Sequence, residues 1–206
     1  MQRAVAGEKL PSVSEIARRD RDPFRILVST ILSLRTKDEV TEVASARLFA
    51  IASTPRQLAR VDIARIEKAI YPVGFYRTKA RTLREVARRL EKEFAGEVPR
   101  TIDALLDFKG VGRKTAALVV SLGYGTPAIC VDTHVHRIAN RLGWIRTRTP
   151  DQTEQALMKL VPRARWISVN EIMVGFGQRV CTPLSPHCST CPLTRSCARV
   201  GVSRTR

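Results

Sequence analysis

"LLDFKGVGRKTAALVV", Leu105 to Val120, places two glycines around a valine, then Arg-Lys-Thr, then an apolar run. Glycines ahead of Lys-Thr mark a loop able to hold phosphate, either that of a bound nucleotide or that of a nucleic-acid backbone. A Walker loop needs its second glycine directly before the lysine, and it follows a buried strand. Here Arg113 precedes Lys114, Phe108 stands where the first glycine belongs, and "RTIDALLDF" reads as a helix capped by Thr101. The stretch therefore predicts a short helix over 102–107, a tight "KGVG" turn and a second helix over 113–122, a helix–hairpin–helix. Gly110 and Gly112 are expected to supply positive φ and let a backbone come close. The N–H groups of the turn and of the new helix then face an anion. Lys109, Gly110, Val111, Gly112 and Arg113 are the candidate grip, which fixes register on a duplex without reading its bases. A simple helix C-cap and turn is the plainer alternative for the same residues.

The rest of the chain carries the same punctuation, and the expected fold is all-α. "RDPFRILVSTILSL" sets Asp22 before Pro23, with Phe24, Leu27, Val28, Ile31 and Leu32 on one face. A helix is expected from Thr36 in "TKDEVTEVASARLFAI", and Thr54-Pro55 repeats the cap-then-proline signature. "RTKARTLREVARRLEKEF" lines up Leu83, Val86, Ala87 and Leu90 at helical spacing. Thr101, Thr133, Asp151 and a run near Ala164 open four further candidates, and "AICV" (Ala128 to Val131) is the one ambiguous apolar run. Connections are short, which suits antiparallel neighbours in one or two bundles.

Composition narrows the partner. The 206 residues carry 36 basic and 19 acidic side chains, a formal charge of +17 that repels itself without an anionic partner. Nucleic acid is the first candidate, because neutralised phosphates release counterions. An anionic membrane is the runner-up, although no apolar run approaches the roughly 18 residues of a spanning helix. A solvated, arginine-rich surface is the third possibility. "MQRAVAGEKLPSVSEI" shows no apolar signal region, so an intracellular, reducing compartment is expected. Cysteines there serve as metal ligands or lone thiols before they serve as disulfides.

Three groups of residues carry possible chemistry. Lys114 sits in the first turn of its helix, an unusual place for a cation because the helix N-terminus already carries partial positive charge. An amine held there beside Arg113 suits a nucleophile, whereas a snorkelling surface lysine is the ordinary alternative. Asp132, in "AICVDTHVHRIANRLGW", looks like an N-cap, a role compatible with a second one in a cleft. His134 and His136 are two apart and share no helix face, so they form no metal pair and read as ordinary polar residues. Cys181, Cys188, Cys191 and Cys197 follow C-x6-C-x2-C-x5-C in a proline-rich loop, suited to a tetrahedral zinc or to a [4Fe–4S] cluster. His187 is a possible replacement ligand for zinc, and Cys130 reads as a small buried hydrophobe.

Taken together, "FKGVGRKTA", "VDTH" about twenty residues later and the cysteine quartet resemble the endonuclease III family of helix–hairpin–helix DNA glycosylases. "ILSLRTKDEVT" and "VGFYRTKA" extend the resemblance over nearly the whole chain. The resemblance implies a [4Fe–4S] cluster on the four cysteines. It also implies two helical domains, a barrel with the hairpin over 16–126 and a cluster domain from 1–15 and 127–206, with DNA bent in a cleft between them. By the family pattern Lys114 is the nucleophile at the sugar C1′ and Asp132 the assisting carboxylate; the target nucleotide is flipped out. The implied activity is a bifunctional DNA glycosylase and AP lyase of base excision repair, removing oxidised pyrimidines from duplex DNA and cutting the strand by β-elimination. A monomeric, cytoplasmic, nucleoid-associated prokaryotic protein is expected, acting on damaged bases or AP sites.

Departures matter as much. Where the family often has a gap-filling Gln, this chain has Arg35, which suits either that gap or a phosphate. Phe75 takes the place of the family's apolar wedge, and a core Phe is the alternative. His134, beside the aspartate, joins the expected DNA-binding set. "TPLSPH", between Cys181 and Cys188, lacks the basic residue often found there. Mismatch and adenine glycosylases of the superfamily lack the lysine, so Lys114 favours the bifunctional branch. A monofunctional T·G or U·G glycosylase and a non-catalytic, zinc-holding DNA-binding module are the rivals.

Overall fold

A computed structural model describes residues 1–5, 7 and 10–206. No strand occurs among the described residues, and the fold is all-α; the "AICV" run forms neither helix nor strand. The chain forms two compact units: Ser12–Thr126, and Met1–Pro11 together with Pro127–Arg206.

The Ser12–Thr126 unit holds α2 (Ser12–Asp20), α3 (Pro23–Ser33), α4 (Asp38–Ile51), α5 (Pro55–Arg60), α6 (Ile63–Ile70), α7 (Tyr76–Glu93), α8 (Ile102–Leu106) and α9 (Arg113–Leu118). Its centre is α3, where every residue from Phe24 to Leu32 except Arg25 is buried. A helix apolar all round belongs in a core. Thr30 is tolerated there because its hydroxyl donates back to the Ile26 carbonyl at 2.7 Å. The expected stripe Leu83, Val86, Ala87 and Leu90 is the buried face of α7, packed on α5 and α6.

Helix starts follow local chemistry. Asp22, Thr54 and Thr101 each cap as expected, accepting from Phe24, Gln57 and Ala104 N–H groups. Thr36 does not begin α4; Lys37 holds that place, and the Thr36 hydroxyl is used for tertiary bonds instead. Asp151 likewise lies inside α11 (Pro150–Leu160), which Thr149 caps ahead of Pro150. The second hairpin helix is α-helical only to Leu118 and then widens into a π turn, Val119–Gly123. Gly123 there lies against Pro23, where a Cβ would come to 3.1 Å from Pro23 Cα.

The other unit holds α1 (Gln2–Val5), α10 (Thr133–Arg141), α11 and α12 (Trp166–Arg179), with a 3-10 turn, Arg163–Arg165, where the run near Ala164 was expected to open a helix. α10 packs on α12 through Val135, Ile138, Met173 and Phe176. Cys130 is buried, as read, and its carbonyl accepts from Asn170 Nδ2 at 3.2 Å.

Lys79 departs from the ordinary placement of a lysine. Lys79, on α7, is 7% exposed, and its ammonium donates to the carbonyls of Leu32 and Leu34 and to the Thr36 hydroxyl. Burial pulls its pKa down from 10.5 to about 8. The sign follows from proton counting: above about 8 the folded chain has released a proton that the unfolded chain keeps up to 10.5. The cost of burying the charge is therefore fully present below that window and is relieved as pH rises through it. Wild type should gain stability relative to Lys79→Met between roughly pH 8 and pH 10.5, by up to about 3 kcal/mol. Urea unfolding of both proteins at the two ends of the window checks this; a constant difference would contradict it.

Candidate functional site

The hairpin is anchored from beneath and open above. Leu105, Phe108 and Val111 are buried, whereas Lys109, Gly110 and Gly112 are exposed. Phe108 N–H bonds to Leu105 O at 3.2 Å and Val111 N–H to Phe108 O at 3.0 Å, so the turn closes on itself. α7 supplies the floor. Arg89 donates to the Asp107 carbonyl and lies 4.6 Å from the Phe108 ring centroid, a cation–π contact.

The two glycines differ in their reasons. Gly110 has φ +84°, and a Cβ there would meet Thr82 Cγ2 at 2.7 Å. Gly112 has φ −96° and ψ 175°, an extended conformation open to any residue, with nothing within 4 Å of a Cβ. The expected positive φ at Gly112 is thus corrected. What glycine leaves there is open space over the backbone at the start of α9. Arg113 and Lys114 follow in the first turn of α9, both half-buried.

Arg35 and Phe75, forty residues apart, come together. Both take left-handed backbone, φ 53° and 58°. The Arg35 guanidinium lies 5.7 Å from the Phe75 ring centroid. Phe75 is 63% exposed, so the core alternative for it is excluded. Gly74 makes the approach possible, since a Cβ there would stand 2.6 Å from the Arg35 carbonyl oxygen.

In the other unit Asp132 is the N-cap of α10, its Oδ1 accepting from His134 and Val135 N–H groups at 2.9 and 3.0 Å. His134 is half-buried, and its Nδ1 accepts from Arg137 Nη2 at 3.0 Å, which places the ring proton on Nε2. His136 Nδ1 meets Thr153 Oγ1 at 2.6 Å, a structural bond between α10 and α11.

All four loop cysteines line one cavity with Leu142, Phe176, Val180 and Leu193. None is in a disulfide. Two arginines of α10 hold the loop's first end. Arg137 donates to the carbonyls of Gly177 and Cys181, at 3.2 and 2.9 Å. Arg141 donates to Cys181 Sγ at 3.5 Å, to the Thr182 carbonyl at 2.7 Å and to that of Pro183. At the other end Cys197 Sγ donates to Arg141 O at 3.5 Å and Val200 N–H to the same carbonyl at 3.1 Å. Burial pushes the Cys188 thiol up, Arg199 opposes this, and the other three cysteines push it further. A metal must displace such protons, which a soft thiophilic centre does readily. Among the described residues no three His, Cys, Asp or Glu side chains are spaced to hold a single metal ion. Sequence reasoning missed Lys79, Arg137 and Arg141; a lysine or arginine on a helix gives no local sign that its target is a distant carbonyl.

Residues 28–163 match the model of the HhH-GPD superfamily base excision DNA repair protein. The endonuclease III of Thermotoga maritima is 48% identical over 87% of this chain and 84% of its own length. The chloroplastic endonuclease III homolog 2 of Arabidopsis thaliana is 43% identical over 84% of this chain, which spans 47% of that longer protein. A solved structure described as a trapped endonuclease III–DNA covalent intermediate superimposes with a TM-score of 0.82, at 36% identity over 91% of this chain and 92% of that one. No described helix is long and apolar enough to cross a membrane.

The glycine geometry separates folding from binding. Gly110→Ala should destabilise by about 1–3 kcal/mol, because Ala is strained at that φ and meets Thr82. Gly112→Ala should leave stability unchanged or raise it by roughly 0.4–1 kcal/mol, yet weaken binding to duplex DNA by crowding the backbone. Thermal melts beside fluorescence-anisotropy titrations check both; equal loss of stability in the two variants would refute the distinction.

Proposed function

Because the chain belongs to the endonuclease III family of HhH-GPD DNA glycosylases, we propose that it is a bifunctional DNA glycosylase and AP lyase of base excision repair. In this reading it removes oxidised pyrimidines from duplex DNA and cuts the strand at the resulting site. It works as a monomer in a prokaryotic cytoplasm. The observation that carries the reading is Lys114, in the first turn of α9 immediately behind an exposed glycine hairpin.

Each residue has a task. The backbone of Lys109 to Gly112, with Arg113, grips phosphate and sets the register. Phe75 enters the opened base step and Arg35 the space left by the flipped nucleotide. The amine of Lys114 attacks the sugar C1′, and the bond from C1′ to the base breaks with its electron pair leaving on the base. Positive charge builds on the sugar in that step, and the Asp132 carboxylate, oriented by its cap bonds to α10, stabilises it. The nitrogen then gives up a proton and the C1′–O4′ bond breaks, O4′ taking up a proton, so that the ring-closed aminal opens to an imine, which acidifies C2′. Loss of that proton expels the 3′ phosphate, and water then releases the lysine. His134 stands two residues after Asp132 and lends its Nε2–H to the DNA backbone.

Cys181, Cys188, Cys191 and Cys197 hold a [4Fe–4S] cluster in a domain made from the N-terminal segment and the C-terminal half. When bound, the cluster ties the two ends of the loop through four thiolate bonds. The donor set supports it: four thiols around one apolar cavity, with Arg141 against the first sulfur.

Borohydride trapping is the deciding experiment. With duplexes bearing thymine glycol or an AP site, wild type should give a covalent adduct and Lys114→Ala none. Base release from a T·G duplex with no adduct would instead place the chain in the monofunctional branch. Binding with neither would leave only a DNA-binding module. For the metal, anaerobically purified protein should be yellow-brown with about four irons per chain. Cys188→Ser should lose the colour. A colourless protein carrying one zinc would overturn the cluster.

A further inference from the structure

We propose that Lys79 is a positioning residue whose buried ammonium fastens the Arg35 loop to the Gly74–Phe75 turn, so that the two DNA-facing side chains stand on one rigid mount. This rests on the reading that Arg35 and Phe75 meet the duplex.

Two backbone carbonyls and a hydroxyl converge on one nitrogen. Nζ of Lys79 donates to Leu32 O at 2.8 Å and to Leu34 O at 2.5 Å, carbonyls of the last turn of α3 and of its C-cap. A cation is the right group there, since the helix C-terminus carries partial negative charge. The third bond goes to Thr36 Oγ1 at 3.2 Å. That same oxygen accepts the Gly74 N–H at 3.2 Å. Thr36 is thus the hub through which the lysine reaches the turn. On its own helix Lys79 is one turn from Phe75, and its N–H bonds to the Phe75 carbonyl at 3.0 Å.

The mount has something to hold in place. Arg35 and Phe75 are both in left-handed backbone, a conformation that costs a residue with a side chain free energy and persists only where its surroundings enforce it. Core packing of Phe75 does not enforce it, because the residue is 63% exposed. What remains is the bonding beneath, together with the close approach of Gly74 to the Arg35 carbonyl. An apolar residue at position 79 leaves two carbonyls and a hydroxyl without their donor. It releases both segments at once, and a wedge and a gap-filling side chain that move independently lose the alignment that speeds base extrusion.

The test pairs a structural readout with a kinetic one. Hydrogen exchange is measured on wild type, Lys79→Met and, should Lys79→Met fold poorly, Thr36→Val, which removes the hub alone. Protection should fall together at 34–36 and 74–75 while the hairpin at 108–112 is unchanged. Loss at one segment only, or at neither, overturns the proposal whatever the enzyme's activity. Single-turnover base release is then compared in two backgrounds, wild type and Arg35→Ala/Phe75→Ala. Lys79→Met should slow wild type about tenfold or more and leave the double variant's rate unchanged, because nothing is left to position. Equal slowing in both backgrounds would show a merely structural lysine. If wild type releases no base, the glycosylase reading fails, and the exchange arm still decides the mount.

Discussion

The structure of the Ser12–Thr126 unit hangs on one helix, α7, and on the burial of its Leu83, Val86, Ala87 and Leu90 stripe. An 18-residue helix anchored along that stripe is a stiff beam about 27 Å long. Every piece proposed to touch DNA in this unit is fastened to it. Lys79, near its start, holds the Arg35 loop and the Phe75 turn. Thr82 lies against Gly110, and Arg89, further along, bonds the Asp107 carbonyl below the hairpin. Phe94, just past its end, packs on Phe108 at 5.5 Å between ring centroids. Loops suit contact with a ligand, and a rigid element beneath them removes the freedom that would otherwise be lost on binding.

That arrangement changes how the charge of +17 should be read. Part of it is already committed inside the protein. Arg89 and Arg25 lie over phenylalanine rings, and Arg137 and Arg141 donate to the carbonyls of the cysteine loop. Burial pulls Arg137 down from the usual guanidinium range, with Cys181 opposing that pull. Such arginines serve as forked donors that satisfy backbone oxygens, a task for which a lysine's point charge is less suited. The number of phosphates the chain can neutralise is therefore smaller than its basic count, while the long-range field that draws DNA in still senses every charge.

What could be read from sequence and what could not divides along the range of the interaction. Asp22, Thr54 and Thr101 were legible as caps because a cap bonds within three residues. The α7 stripe was legible because burial imprints a helical period. The cysteine quartet declared its own spacing, and all four line one cavity. Thr36 misled because the cap signature is local while its hydroxyl is claimed by Lys79 and Gly74, about forty residues away. Gly112 misleads for the opposite reason: a glycine in a turn suggests positive φ, and here it means space. Lys79 gave no signal, since its neighbours in sequence are those of an ordinary basic helix face.

The second unit follows a related logic with a different fastening. Ile138, Leu142 and Phe176 belong both to its apolar core and to the lining of the cysteine cavity. Filling that cavity and completing that core are therefore one process. The loop after α12 has little regular structure of its own, and its ends are tied chiefly to Arg137, Arg141 and the carbonyl of Leu142. A loop so poor in buried apolar surface gains stability mainly from whatever its four thiols bind. α10 receives that stability directly, because it carries Arg137 at its middle, Arg141 at its C-terminal end and Asp132 as its cap at the other. The orientation of a carboxylate proposed to act on the sugar is thus mechanically continuous with the cysteine loop, through one nine-residue helix.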